Sequence, residues 1–210
     1  MIMTAFGFYF DASSCSGCKT CQVACKDKND LGPGVRYRRV YEVCGGGWER
    51  TTEGAWKQEV AAYNISIACN HCENSPCTGA CPTKAMHRTP EGFVLVDASR
   101  CIGCRYCEWA CPYGAPQFDP ERGVMGKCDF CSDYIGQGRP PACVSACPMR
   151  ALDFGPIELL ELKYGENRDI YPLPNGSAIL PRWIVKNHPA QDKARKLRAS
   201  IINREEVKHA

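Results

Sequence analysis

The N-terminal stretch of the chain has the alternation of a β-strand. In FGFYFDASSC the aromatic residues Phe6, Phe8 and Phe10 occupy every second position, which places them on one face of a strand. The stretch GFVLVD follows the turn signal TPEG and predicts a second, short apolar strand. These patterns are typical of a mixed α+β fold with small strands.

A longer pattern, RYRRVYEVCGGGWERTTEGAWKQEVAAYNISIAC, predicts two strands with a glycine-rich turn between them. Neither a GK[ST] nor a GxGxxG context accompanies the three glycines at 45–47. A hairpin turn is therefore favoured over a phosphate loop. We predict a β-hairpin insertion over residues 36–66.

The pattern changes after about residue 157. ELLELKYG predicts a short amphipathic helix, and YPLPNGSAILP is rich in turn residues. Basic residues outnumber acidic ones from Arg182 to Lys208, but no known nucleic-acid-binding module accompanies them. We predict an irregular C-terminal extension over residues 158–210 that docks on a partner protein and binds no nucleic acid.

The chain has no obvious membrane or export segment. No apolar run reaches the roughly 18 residues that a membrane span needs. The N-terminal MIMTAFGFYF lacks a positively charged region, a twin arginine and a long apolar core. We therefore expect neither a membrane helix nor an export signal.

Cysteine dominates the composition, with 17 residues in a chain of 210, at the edge of what marks a cysteine-based scaffold. All but one fall into four sets, each of which reads C-x2-C, a variable gap, then C-x3-C. In chain order the sets are Cys15, Cys18, Cys21 and Cys25; Cys69, Cys72, Cys77 and Cys81; Cys101, Cys104, Cys107 and Cys111; and Cys128, Cys131, Cys143 and Cys147. Only Cys44 is left over, and we predict it to be a small buried residue and not a ligand.

Three kinds of cysteine chemistry compete for this spacing. A disulfide within C-x2-C would be strained, and zinc usually takes its thiolates from two separated C-x2-C knuckles. In the first and third sets a C-x2-C-x2-C loop offers three thiolates together, which suits three corners of an iron–sulfur cubane. Covalent haem is excluded because no C-x-x-C is followed by His. The pattern favours four [4Fe–4S] clusters.

The fourth cysteine of each set is expected to serve a different cluster from the first three. In two-cluster bacterial ferredoxins the last cysteine of such a run ligates the other cluster. We expect this cysteine to start a helix and to point away from its own loop. Each set then needs a partner set.

The spacing between sets favours a nested arrangement. Sets two and three are separated only by the positions between Cys81 and Cys101, which predicts one compact ferredoxin-like module over residues 67–114. Sets one and four then form an outer module over residues 1–35 and 115–157, into which the inner one is inserted. The alternative pairs set one with set two and set three with set four. It would place the long stretch between sets one and two inside a single small module.

Other side chains form no separate catalytic constellation. The four histidines, His71, His87, His188 and His209, are dispersed, and we expect His71 to be solvated in its loop. Every cluster has four cysteines, so no iron is left open for substrate chemistry. We predict an electron carrier and not an enzyme.

Charge near the cysteines has two interpretations. Four clusters would lower the formal net charge of +3 by about eight. The basic residues beside the ligands are Lys19, Lys26, Arg100, Arg105 and Lys127. They serve either ordinary solubility or the tuning of cluster reduction potentials.

Five stretches of the sequence carry a wider pattern: CSGCKTCQVACKD, RRVYE with GGGW, SIACNHCENSPCTGACPTKAMH, CIGCRYCEWACPYGAPQF and CVSACPMRALDFGP. These stretches resemble the iron–sulfur, electron-transfer subunit of the dimethyl sulfoxide reductase family of anaerobic molybdenum enzymes. The resemblance covers about residues 6 to 157 and thins beyond them. It implies two bacterial-type ferredoxin modules with four [4Fe–4S] clusters.

The resemblance also implies which cysteines share a cluster. The four ligand sets are Cys15, Cys18, Cys21 and Cys147; Cys25, Cys128, Cys131 and Cys143; Cys69, Cys72, Cys77 and Cys111; and Cys81, Cys101, Cys104 and Cys107. This assignment agrees with the nested arrangement of modules.

Iron–sulfur subunits of this family relay electrons from a membrane quinol-oxidising subunit to a large molybdopterin subunit. The resemblance therefore implies a heterotrimer, with this protein attached to the cytoplasmic membrane only through its partners. It would face the periplasm by co-export with a signal-bearing partner, or else the cytoplasm. Sulfoxide or N-oxide is the implied terminal substrate.

Other iron–sulfur subunits of the family are compared with this sequence to narrow the kind of complex. Nitrate reductase beta subunits are longer and put Trp at one ligand position, whereas all sixteen positions are Cys here. Formate dehydrogenase beta subunits carry a C-terminal membrane helix, which this sequence does not predict. Thiosulfate, polysulfide and tetrathionate reductase subunits remain alternatives, as does a free-standing soluble polyferredoxin. The direction of electron flow and the cluster potentials do not follow from the sequence.

Overall fold

A computed structural model describes residues 5–207. Residues 1–4 and 208–210 lie outside the described residues, and with them His209, the start of the predicted outer module, part of the stretch MIMTAFGFYF and the end of the C-terminal extension. The strands are β1 Phe6–Asp11, β2 Arg39–Arg50, β3 Trp56–Ile67, β4 Met86–Arg88, β5 Val94–Val96, β6 Gln117–Asp119, β7 Val124–Gly126, β8 Leu152–Pro156, β9 Trp183–Lys186 and β10 Ser200–Ile201. The helices are α1 Thr20–Lys28, α2 Pro76–Gly79, α3 Tyr106–Ala110, α4 Ser132–Gly136, α5 Ala142–Ser145, α6 Ile157–Tyr164, α7 Gln191–Lys196 and α8 Arg204–Val207.

The first sheet joins distant parts of the chain in the order β8-β1-β9. Strand β1 carries the alternating aromatics and pairs antiparallel with β8, with Phe10 opposite Leu152. On its other side it pairs in parallel with β9, with Phe8 opposite Trp183. Because β1 precedes the first cysteine set and β8 follows the fourth, this sheet brings the two sets to the same region.

The second sheet is built on the long antiparallel pair β2–β3, with β10 paired to the other side of β2. The β2–β3 hairpin lies in the segment where the sequence predicts one. The predicted position of its turn, at the three glycines, is wrong. The glycines at 45–47 lie inside β2, opposite Ala61, Val60 and Glu59, and the turn comes at 51–55. A Cβ on Gly45 would stand 2.5 Å from the Ala199 Cα, so close approach of the C-terminal segment, and not a turn, requires glycine there.

Two small hairpins follow the inner cysteine sets. Strands β4 and β5 pair antiparallel, as do β6 and β7. Helix α2 of the second set packs against α3 of the third, and α1 of the first set packs against α5 of the fourth. The result is a mixed α and β fold of short elements around the cysteine-bearing loops.

The C-terminal extension is more regular than expected. Helix α6 is the predicted amphipathic helix, with Ile157 and Leu160 buried against Tyr9 and Ile184. Beyond it, β9 and β10 complete the two three-stranded sheets. The prediction of an irregular tail is wrong for these segments because non-local strand pairing decides them, and a four-residue strand such as WIVK has no period to detect.

The core lies between the sheets and the cysteine loops. Phe8 stacks on Phe130 with ring centroids 4.1 Å apart, and Phe93 stacks on the same ring at 5.3 Å. The side chains of Phe10 and Phe130 are each 1% exposed. Thiols from the first, second and fourth cysteine sets belong to this apolar cluster, whereas Cys77 and Cys107 lie in a second, smaller one.

Candidate metal centres

The four C-x2-C loops share one backbone conformation. In each loop the residue before the second cysteine has a left-handed backbone: φ is 72° at Gly17, 44° at His71, 67° at Gly103 and 63° at Phe130. This conformation costs glycine little but disfavours other residues. Since His71 and Phe130 adopt it while buried, packing holds these two loops in shape. The repeat in the sequence is also a repeat in the backbone.

A second repeat follows the C-x3-C halves. The third residue after the cysteine is left-handed at Lys84, Gly114 and Arg150, so the chain turns sharply after each Cys-Pro. The expectation that the fourth cysteine starts a helix is wrong: Cys111 is the C-cap of α3, and Cys25 lies within α1. Proline cannot continue a helix, so Cys-Pro marks its end and not its start.

The first predicted ligand set surrounds one cavity. Cys15, Cys18, Cys21 and Cys147 all line it. Burial raises the pKa of the Cys15 thiol to about 11, and the charges of the other three thiols act in the same direction. Cys147 comes from a distant part of the sequence, so the cavity depends on the closure of the β8-β1-β9 sheet.

Another cavity is lined by Cys69, Cys72, Cys77 and Cys111. Burial raises the pKa of Cys72, followed by the charges of the other three thiols. Here the last cysteine again comes from a different run of sequence. This cavity therefore gathers the third predicted ligand set.

The thiols of the remaining two predicted sets are close enough to act on one another by charge. Burial raises the pKa of Cys25 to about 12, helped by Cys143 and Cys131, and Cys128 is raised by burial and then by Cys25. The last set behaves in the same way. Burial and the charges of the other three thiols in the set raise the pKa of Cys107 to about 11; these thiols are Cys101, Cys81 and Cys104.

Hydrogen-bond donors point at several of these sulfurs. Backbone N–H groups donate to Sγ from Phe130 to Cys128 at 3.4 Å, from Met125 to Cys101 at 3.3 Å, from Met86 to Cys81 at 3.4 Å and from Ala115 to Cys111 at 3.4 Å. Such bonds favour the thiolate. At Cys81 burial opposes the charged form, but the donated bonds outweigh it and lower the pKa of the thiol.

The donor sets fit iron–sulfur clusters. Metal binding requires thiolates, and a bound cation supplies the free energy that deprotonates buried thiols. Within residues 5–207, no three His, Cys, Asp or Glu side chains form a group that could hold a single metal ion. A cubane spreads its four thiolates over separate iron corners, as the thiols around the two shared cavities can.

Neighbouring sets also approach one another. After burial, the charge of a thiol in a neighbouring predicted set also raises the pKa in three cases: Cys143 acts on Cys21, Cys69 acts on Cys128, and Cys107 acts on Cys77. These pairs connect the predicted ligand set of Cys15 to that of Cys25, that of Cys25 to that of Cys69, and that of Cys69 to that of Cys81. The four groups of thiols therefore follow one another in series.

The histidine in the second cysteine loop is not solvated, contrary to the expectation. His71 is 1% exposed, and its Nδ1 accepts a hydrogen bond from the Val94 N–H at 3.0 Å. Burial and nearby cations, first Lys127, hold its pKa well below the usual range. The ring packs edge-on against Phe130. Sequence spacing could not reveal this burial, because β5 and the fourth set bring the covering residues.

Sequence reasoning also missed two buried arginines. Arg38 and Arg39 are 2% and 4% exposed, although they stand in the visibly basic stretch RYRRVYE. Lys127, noted beside the fourth set, is 5% exposed and donates to the carbonyl oxygens of Val94 and Cys128. Solubility therefore does not explain Lys127. The left-over Cys44 is half-buried in β2, opposite Ala62.

The protein has clear relatives among characterised families. A model of the 4Fe-4S dicluster domain matches residues 60–157. An anaerobic dimethyl sulfoxide reductase chain from Haemophilus influenzae is 52% identical over 88% of this protein and 90% of its own length. The probable anaerobic dimethyl sulfoxide reductase chain YnfG of Escherichia coli is 48% identical over 97% and 99%. This protein belongs to the family of iron–sulfur, electron-transfer subunits of anaerobic dimethyl sulfoxide reductases.

A more distant relative is the thiosulfate reductase electron transfer subunit PhsB of Salmonella typhi, 38% identical over 94% of this protein and 91% of its own length. The dicluster match spans cysteine sets two to four, whereas the first set lies outside it. Within the described residues, no helix is long and apolar enough to cross a membrane. As a member of this family, the protein carries electrons on iron–sulfur centres.

Proposed function

We propose that this protein carries four [4Fe–4S] clusters and relays electrons to the catalytic subunit of an anaerobic dimethyl sulfoxide reductase. One observation supports the proposal: two cavities are each lined by the four thiols of one predicted set, and thiols within each of the other two sets act on one another by charge. A protein with a single dicluster domain would not need the first run of cysteines.

The proposed ligands follow these groups. The sets are Cys15, Cys18, Cys21 and Cys147; Cys25, Cys128, Cys131 and Cys143; Cys69, Cys72, Cys77 and Cys111; and Cys81, Cys101, Cys104 and Cys107. The packing of α1 on α5 and of α2 on α3 supports the pairing of sets. We assign residues 1–35 and 115–157 to the outer ferredoxin-like module and 67–114 to the inner one, with 36–66 as a hairpin insertion.

The protein's own residues would shape the path of the electrons. When bound, the clusters supply one-electron carriers. The thiol pairs that join neighbouring groups support a row of four sites. Packed side chains such as Phe130 and His71 keep water from the middle of the row. At one end Cys18 is exposed, which suits electron exchange with a partner.

A complete set of four thiolates leaves no iron open to substrate, so we infer that the protein itself catalyses no reaction. Its partners would be a molybdopterin catalytic subunit and a membrane-anchored, quinol-oxidising subunit, in a heterotrimer. The protein would then be peripheral to the cytoplasmic membrane, on the periplasmic or the cytoplasmic face, and residues 158–210 would contribute to docking. The identity to PhsB favours thiosulfate reductase as the second candidate complex.

The test is to break the relay at one site in the assembled complex. Cys131→Ser should impair turnover driven by membrane quinol much more than turnover driven by a dye that reduces the catalytic subunit directly, because only the dye bypasses the relay. Cys44→Ser is the matched control, since Cys44 belongs to no ligand set. We expect it to leave both rates unchanged.

Assembly must be measured in the same samples, because losing a cluster can unfold the module that binds it. Equal loss of quinol-linked and dye-linked turnover in an intact complex would contradict the relay. Replacing dimethyl sulfoxide by thiosulfate as the terminal acceptor separates the two candidate complexes.

A further inference from the structure

Arg38 is a buried cation with no carboxylate partner. It is 2% exposed, and its Nη1 donates to the Ser66 Oγ at 3.2 Å and to the Ser66 carbonyl oxygen at 3.5 Å. Its guanidinium lies over the Phe8 ring, 4.8 Å from the centroid. Across residues 5–207, no ion pair joins it to Asp or Glu. Its charge is therefore not balanced by any carboxylate in this part of the protein.

Such a charge needs a counter-ion. Removing a guanidinium from water without an anionic partner is strongly unfavourable, and a single cation–π contact returns only a small part of that cost. The Nε of Arg38 also has no hydrogen-bond partner. Ordinary packing does not explain why arginine occupies this position.

The negative groups that act on Arg38 are thiolates. Burial opposes its cationic form, but the charges of Cys143, Cys21, Cys128 and Cys25 outweigh it and raise the pKa of Arg38. Three of these thiols belong to the proposed set that also contains Cys131. The fourth, Cys21, is linked through Ser66, whose Oγ lies 3.3 Å from the Cys21 Sγ. Arg38 therefore lies at the junction between the first two proposed cluster sites.

The neighbouring Arg39, at the same end of β2, serves as a comparison because its guanidinium binds backbone carbonyl groups of another loop. Its Nη1 donates to the Gly114 carbonyl oxygen at 2.9 Å and its Nη2 donates to the Tyr113 carbonyl oxygen at 2.8 Å. These two bonds fasten β2 to the loop after Cys111. Arg38 makes no comparable tie to another loop, because its acceptors are on Ser66, in the strand β3 that pairs with β2.

We propose that Arg38 raises the reduction potential of the cluster held by Cys25, Cys128, Cys131 and Cys143. Each reduction adds one negative charge to a site that already carries a net negative charge, and a fixed cation nearby stabilises the reduced form. The inference rests on the proposed four-cluster function. It identifies a residue that sets the reduction potential of one cluster in the proposed series of four.

The experiment is a redox titration with dithionite, followed by low-temperature EPR, on the anaerobically purified complex. The relevant EPR signal is the one that Cys131→Ser abolishes. In Arg38→Gln its reduction potential should fall by at least about 59 mV, which is a tenfold change in the one-electron reduction equilibrium. Arg38→Lys keeps the charge and should retain most of the wild-type potential. Arg50→Gln removes an exposed arginine at the other end of β2 and should shift nothing.

Iron content separates the possible failures. If the wild-type protein lacks four clusters, the proposed function fails; if it has them and Arg38→Gln shifts no potential, only this inference fails. Equal shifts in Arg38→Lys and Arg38→Gln would also overturn it, because charge would then not be the cause. If Arg38→Gln loses iron, Arg38→Lys decides the question: full iron with the wild-type potential supports the inference, whereas iron loss or a lowered potential in Arg38→Lys overturns it.

Discussion

The inner and outer pairs of cysteine sets differ in how far apart their halves lie in the sequence. Sets two and three fall within residues 69–111, and the local hairpin β4–β5 lies between them. Sets one and four fall within 15–25 and 128–147, and they meet where β1 pairs with β8 and α1 packs against α5. The inner pair is a local structure, whereas the outer pair depends on closing most of the protein into a loop.

This difference gives the C-terminal segment a structural task. Closing a long loop costs more conformational entropy than closing a short one, although the cost grows slowly with length. The outer sheet is reinforced by β9, in which Trp183 and Ile184 are 2% and 0% exposed. Part of the C-terminal segment, strand β9, therefore packs within the fold of this protein itself. We expect that the inner and outer pairs can be destabilised separately.

The largest effect should come from the core of the outer pair. Phe10 is 1% exposed in β1, and Phe10→Ala should cost about 3–5 kcal/mol through the cavity that it creates. As urea is raised, EPR signals of the outer clusters should disappear first. The matched inner change is Val94→Ala, at a side chain that is 0% exposed beside Cys77 and Cys107. It should cost about 2 kcal/mol and affect the inner signals first; the same order of loss in both variants would disprove separate destabilisation.

A smaller effect is expected from one ligand of the inner pair. Cys104 lies in a C-x2-C-x2-C loop, and the proposed ligand sets give all three thiols of this loop to one cluster. Cys104→Ser should therefore remove or convert one EPR signal of the reduced protein and spare the other three. Cys44→Ser again serves as the control with no signal changed. Loss of two signals that belong to sets one and four would refute the proposed pairing.

The smallest effect should come from the ion pair that joins the edge of the outer sheet. The Asp11 carboxylate lies 3.0 Å from the Lys186 Nζ and accepts a hydrogen bond from the Ser13 N–H at 2.8 Å. Burial opposes ionisation, but the bonds from Ser13 and Lys186 outweigh it and lower the pKa of Asp11. Asp11→Asn should lower the free energy of unfolding by about 1 kcal/mol at pH 7.

The pH dependence of this effect has a definite sign. Because the pKa in the folded state lies below the unfolded value of about 3.9, the stabilisation is complete above that value and disappears as pH falls through the folded pKa. The urea midpoint for loss of cluster absorbance should therefore differ between Asp11→Asn and wild type by the same amount at pH 6, 7 and 8. A difference that changes over this range would assign the effect to another group.

Local patterns predicted the local elements. The alternation of Phe6, Phe8 and Phe10 predicted β1, and the amphipathic pattern after residue 157 predicted α6. The spacing of the cysteines predicted four groups of thiols, and the thiols of two of these groups line shared cavities. These features depend on residues that are close in sequence or on the repeated spacing of the cysteines. Both can be recognised in a single sequence.

Features decided by distant contacts could not be predicted in this way. The glycines of β2 look like a turn because the segment that packs on Gly45 comes from Ala199. The burial of His71 and Arg38 likewise depends on elements far away in sequence. A basic residue in a polar stretch gives no signal that thiols from three distant segments lie close enough to act on its charge.

Iron and acid-labile sulfide analysis of the anaerobically purified protein tests the central claim most directly. Four complete ligand sets predict about sixteen iron and sixteen sulfide per protein molecule, without stoichiometric zinc. Quinol-linked activity should fall as these values fall. A fully active preparation with about eight iron per molecule would contradict the four-cluster relay.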